Sequence, residues 1–102
     1  MNGRLGTLYR ILGSTATPEI LKSIEKGRGQ YKHFHFASDS TINKRLKELL
    51  YLGIIEHHVE RTHKRREEYV LTEKGKRILR AIRTLEKAFE EDGDTLIITG
   101  SD

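Results

Sequence analysis

The chain has no cysteine and no tryptophan, one proline, one methionine, and only four Tyr and three Phe among 102 residues. Each scarcity excludes something. Without cysteine there is no disulfide framework, no thiolate metal site and no thiol redox sensor. With few large side chains and 35% hydrophobic residues, a core has to be assembled from a few well-placed stripes. A chain of this kind gains stability by pairing with a second copy. No run approaches the roughly 18 apolar residues of a membrane span, so no membrane partner is expected. Residues 1–13 carry Arg4 and Arg10 but no uninterrupted apolar segment with a cleavage site. They do not resemble a signal peptide, and a cytoplasmic protein is the default expectation.

What the chain does have is charge. Lys and Arg number 19 against 15 Asp and Glu, a formal net charge of +4, with an isoelectric point near 9.5. That balance fits a nucleic-acid binder, and its distribution sharpens the point. Lys44, Arg45 and Lys47 form one basic cluster. Arg61, Lys64, Arg65 and Arg66, with His63 among them, form another. The acidic residues gather instead at 86–94. Two short basic elements are how an electrostatic footprint looks.

The length suits one domain, with no internal repeat or linker. Leu5, Leu8, Tyr9 and Leu12 recur at helical spacing over residues 4–12, and Gly13 ends that helix. Thr17-Pro18-Glu19 then reads as N-cap, first helical position and first-turn acid of a second helix. It carries Ile20, Leu21 and Ile24 inward and stops at Gly27. Residues 31–37 alternate as a strand would, but their place between two helices favours a short helix. Ser38-Asp39-Ser40 opens the next helix, whose core face is Ile42, Leu46, Leu49 and Leu50 and which Gly53 closes. Residues 54–61 and 66–72 are β-prone runs joined by a basic turn, a hairpin signal. Thr72 caps a final helix, along which Ile78, Ile82, Leu85 and Phe89 recur in a heptad-like seam. The tail, 93–102, is either an extra strand through Thr95-Leu96-Ile97-Ile98-Thr99 or a disordered end.

In the helix from Ser38, steps of about 100° per residue set Ser40, Asn43, Lys44, Lys47, Glu48 and Tyr51 opposite the core face. Its N-terminal half offers Ser40, Thr41, Asn43, Lys44 and Lys47. Asn can bond an adenine edge twice, Lys reaches guanine acceptors, and hydroxyls bond phosphates or bases. Ser38 and Arg45 flank this face, where Arg45 would reach the backbone. The competing reading is an ordinary solvated helix face. The hairpin tip, with Arg61, His63, Lys64, Arg65 and Arg66, has nothing apolar to pack inward. It would lie along a groove or phosphate backbone, or else serve only as a solvated loop.

The order helix, short helix, helix, hairpin, long helix makes the domain α+β, mostly α. With these residues in it, the chain resembles the winged helix-turn-helix regulators of the HxlR-like and MarR-like type. Ser40-Thr41-Ile42-Asn43-Lys44-Arg45-Leu46-Lys47-Glu48-Leu49 resembles their recognition helix, and Leu52-Gly53-Ile54-Ile55-Glu56 the exit into the wing. Arg66-Glu67-Glu68-Tyr69-Val70-Leu71-Thr72-Glu73-Lys74-Gly75 resembles the return strand and the start of the last helix. The resemblance covers residues from about Thr17 to Leu85 and implies a winged helix-turn-helix with a two-stranded β-hairpin wing and a long C-terminal helix. The domain is expected over residues 1–92, with a tail at 93–102. It implies double-stranded DNA as partner and a homodimer paired through Ile78, Ile82, Leu85 and Phe89, the alternative for these four being simply to cover the domain core. A two-fold dimer spaces two recognition helices roughly 34 Å apart and reads a palindrome.

Other chemistries find little support. His33 with His35, and His57 with His58, lack the i, i+4 spacing that sets two ligands on one helix face, so no metal is expected. No phosphate loop, nucleophile elbow or defensible carboxylate pair is present. Neither an enzyme nor a cofactor is expected, and the residues identify no effector. The alternatives to sequence-specific binding are a winged helix used as a protein-interaction module, or nucleic-acid binding without sequence preference.

Overall fold

The computed structural model describes residues 3–61 and 65–91. In chain order it has α1 (Gly3–Leu12), α2 (Ala16–Glu25), a 3-10 turn (Tyr31–His33), α3 (Asp39–Tyr51), β1 (Ile55–Arg61), β2 (Arg65–Leu71) and α4 (Glu73–Glu91). The strands pair antiparallel, with Ile55 opposite Leu71 at the base and Arg61 opposite Arg65 at the far end. This is the expected α+β, mostly α winged helix-turn-helix. His63, Lys64 and the tail at 93–102 lie outside the described residues.

Local signals placed most element ends. Ser38 caps α3, its Oγ accepting the Thr41 N–H at 3.2 Å, and Gly53 closes it at a φ of 73°. Gly27, at a φ of 80°, closes α2, with the Arg28 N–H reaching back to the Ser23 carbonyl at 3.0 Å. Thr72 caps α4, its Oγ1 accepting the Gly75 N–H at 2.9 Å and donating to the Gly53 and Ile54 carbonyls. One hydroxyl thus binds the exit of α3 to the entry of α4. Gly75 serves the same junction, because a Cβ there would collide with the Ile54 carbonyl.

Three expectations need correcting. The second helix starts at Ala16, not after a Thr17 cap. Ser14 does the capping, accepting the Ala16 N–H at its Oγ and the Thr17 N–H at its carbonyl, while Thr17 is buried. Residues 31–37 do not form a helix beyond one 3-10 turn. Gln30 and His33 close that turn reciprocally, and the chain then extends so that Phe34 can enter the core. Phe34 is 2% exposed, edge-on to Tyr31 and Phe36 and tilted against Tyr69.

The third correction concerns α1. Its buried residues are Thr7 and Ile11, with Leu8 packed against the core. Leu5, Tyr9 and Leu12, expected on the inner stripe, are exposed. The helix has apolar residues on two faces, and the core takes the one carrying Ile11. That core gathers Ile20 and Leu21 of α2, Ile42 and Leu49 of α3, Ile55 of β1 and Leu79 of α4.

Candidate nucleic-acid interface

The helix-turn-helix is α2, the turn and α3. Ile42, Leu46 and Leu49 anchor α3 in the core, which turns Ser40, Asn43, Lys44 and Lys47 to solvent on the opposite side. Thr41 is half-buried, and its Oγ1 accepts from the Ser38 hydroxyl at 3.0 Å. Ser38 and Thr41 are thus engaged with each other at the cap. Among the described residues, neither Lys44 nor Lys47 meets a carboxylate. Their charges are available to an external anion.

Arg45 is elsewhere. It is 8% exposed, and its Nε lies 3.1 Å from Glu48 Oε1 one turn along α3. Those two atoms form no aligned hydrogen bond, so their contact is an ion pair. The same carboxylate accepts from Arg10 Nε of α1 at 3.0 Å through its other oxygen. Glu48, expected on the open face, is half-buried between two arginines. Glu48 therefore ties α1 to α3, and Arg45 is held against that carboxylate instead of standing on the exposed face. Leu50 differs too, being exposed rather than turned to the core.

A residue outside the expected set joins the face. Tyr31, in the turn before α3, donates its hydroxyl to Asp39 Oδ1 at 3.3 Å. Desolvation and the Asp39 charge push the phenol up from its ordinary value, and a hydrogen bond with the Asn43 side chain acts in the opposite sense. The sequence signal was an aromatic residue in the turn with an acid opening the helix. It carries information only once the turn folds back on α3.

The wing is anchored at its base and open beyond it. The Tyr69 N–H donates to the Gly29 carbonyl at 2.7 Å, an approach that leaves no room for a Cβ on Gly29. His57 stacks on Tyr69 across the strands, with ring centroids 4.5 Å apart, and its Nε2 contacts Glu67 Oε1 at 3.1 Å. Burial and the Glu67 charge raise the Tyr69 phenol. Farther out, Arg65 pairs with Glu67 at 2.9 Å and Arg66 with Glu68 at 3.6 Å. Arg61 meets no carboxylate among the described residues. The expected basic wing thus carries counter-charges of its own on β2.

The pairing seam divides as well. Ile82 is buried within this chain and Ile78 packs on the same core, whereas Leu85 is 68% and Phe89 80% exposed. Phe89 lies two turns past Ile82 on the same side, about 10 Å along the axis. By then α4 has passed its ion pairs with α2, Lys22 to Glu86 and Arg83 to Glu25.

The model of the HxlR-like helix-turn-helix family matches residues 12–95. The chain belongs to that family. As an HxlR-like protein it is a DNA-binding transcription regulator by family. The match includes α2, α3, both strands and α4, and leaves nearly all of α1 outside it. No curated protein and no solved structure matches the chain. Among the described residues, no group of three His, Asp or Glu is placed to hold a metal ion. No described helix is long and apolar enough to cross a membrane.

Proposed function

We propose that this HxlR-like protein is a homodimeric regulator that reads a double-stranded operator in the cytoplasm through the exposed face of α3. Asn43 reads a base edge, Ser40 and Thr41 contact bases or nearby phosphates, and Lys44 and Lys47 reach guanines or the backbone. Arg61, Arg65 and Arg66, with His63 and Lys64 of the turn, add salt-dependent grip. The observation that carries this reading is α3 itself, rigidly seated by its apolar side and offering an amide and two unpaired ammonium groups on the other. Leu85 and Phe89 of α4 and Tyr9 and Leu12 of α1 supply the apolar area that a second copy covers.

The test is a titration of the purified protein against the DNA upstream of its own gene and against random duplex, at two salt concentrations. Tighter binding to the upstream fragment at both salts is expected. Equal affinity for the two duplexes would leave only binding without sequence preference, and no binding to either would end both nucleic-acid readings. Light scattering at the same concentrations is expected to give twice the mass of the chain.

A further inference from the structure

An apolar hollow opens where α1, the end of α3 and the start of α4 meet. Its volume is about 600 Å³, within the range that holds small organic ligands. Leu8, Leu52, Ile54 and Ile78 supply apolar wall, and Arg4 and Lys74 are its cations. These two groups are set in an unusual way. Arg4 Nη2 and Lys74 Nζ both donate to one oxygen, the carbonyl of Leu52, each at 3.2 Å. Among the described residues neither meets a carboxylate.

Two full positive charges therefore converge on a single neutral acceptor, beside an apolar wall of which Leu8 and Ile78 are partly open. The carbonyl lies at the C-terminal end of α3, where the helix dipole favours cations, and that explains why they gather. It does not neutralise them. Arg has five N–H donors and Lys three, so each keeps donors for another partner without releasing Leu52. An anion lodged between the two would relieve their mutual repulsion and make charge-assisted hydrogen bonds to both. The rest of such a ligand has to be apolar to match the wall.

We propose that this hollow binds a small amphipathic carboxylate, its carboxylate held by Arg4 and Lys74 and its hydrocarbon or aromatic body on Leu8, Leu52 and Ile78. The site lies at the C-terminal end of α3, where Tyr51 lines it, and includes none of Ser40, Thr41, Asn43, Lys44 or Lys47. A ligand there bridges α1, the exit of the reading helix and the base of α4, which are the elements that set the pose of α3. Binding needs no DNA, so this proposal and the DNA reading stand or fall separately.

Calorimetric titration of the full chain, without DNA, tests it with benzoate and octanoate as probes and with benzamide and octanamide as uncharged twins. The carboxylates are expected to bind, and the amides to bind about tenfold more weakly or worse. Arg4→Gln and Lys74→Gln are each expected to weaken the carboxylates about tenfold while leaving the amides unchanged. Urea unfolding of both variants checks that they remain folded. Equal affinity for acid and amide overturns the proposal, as does unaltered carboxylate binding in both folded variants. Absence of binding by every probe up to about 10 mM also overturns it. So does a dimer whose dissociation constant, rather than any carboxylate affinity, responds to Arg4→Gln, since the hollow is then the seat of a second copy.

Discussion

Helix α3 and the wing are both basic in sequence, yet the structure treats their charges differently. On α3 the lysines stand free, while Arg45 is buried against Glu48, the carboxylate that also takes Arg10 of α1. On the wing, two of the three described arginines already have a carboxylate on their own strand. The supports differ as well. Ile42 and Leu49 hold α3 with no exposed surface, whereas every residue of β1 after Ile55 is exposed. A cation count therefore overstates the wing. What a nucleic acid meets is the set of cations not already satisfied, presented by a backbone that does not have to be ordered on binding.

The largest effect should come from breaking that support. Leu49→Ala, beneath α3, is expected to cost about 2–5 kcal/mol in urea unfolding, whereas Val59→Ala on the wing should cost about 0.5 kcal/mol or less. Comparable losses would mean that the wing is as well anchored as the helix. Asn43→Ala should leave stability intact and remove about 1–3 kcal/mol of discrimination at one operator position, seen by comparing single-base variants of the operator.

Charge changes should separate the two regions by sign. Replacing both Lys44 and Lys47 by Ala should lower affinity and flatten the slope of log K against log salt by about 0.9 for each phosphate no longer neutralised. Glu67→Gln with Glu68→Gln should act the other way. Freed of its partners, the wing should bind random duplex more tightly and with a steeper slope. If that double variant binds random duplex no better, the β2 carboxylates do not restrain Arg65 and Arg66.

The smallest effect concerns the turn that feeds α3. The His33 Nδ1 accepts the Gln30 N–H at 3.2 Å, which a protonated ring cannot do. Desolvation, then the charges of Arg28 and Lys32, hold the imidazole below its ordinary 6.5. Folded protein thus binds fewer protons here than unfolded protein. This contribution to stability is full above about pH 6.5 and declines as pH falls toward the lower folded value. His33→Gln should make urea midpoints less sensitive to a drop from neutral pH into that window. An unchanged pH dependence would show that protonation of His33 does not act on the turn.

Much of this was legible because it is local. Ser38, Gly53 and Thr72 mark their boundaries through bonds to residues within a few positions, and the inward spacing of Ile42, Leu46 and Leu49 is a property of one helix. Residues 31–37 misled for a related reason. Their length permits a helix, but burying Phe34 outweighs it, and that gain depends on Tyr69 far along the chain. The exposed polar face of α3 was legible through the types on one side of the helix. Tyr31 was not, because a turn has no face until it folds.

The sequence by itself determined the order of elements, the caps at Ser38 and Thr72, the stops at Gly27 and Gly53, and most of the polar face opposite the α3 core stripe, since each follows from backbone geometry and side-chain period over a few residues. Only the tertiary structure decided which side of α1 turns inward, that Glu48 ties α1 to α3, and that Arg4 and Lys74 converge on Leu52. All three depend on which distant groups become neighbours, whereas the Arg65–Glu67 and Arg66–Glu68 pairs of β2 join residues two positions apart. Packing and ion pairing are settled by proximity in space, and the pattern along the chain carries that information only indirectly.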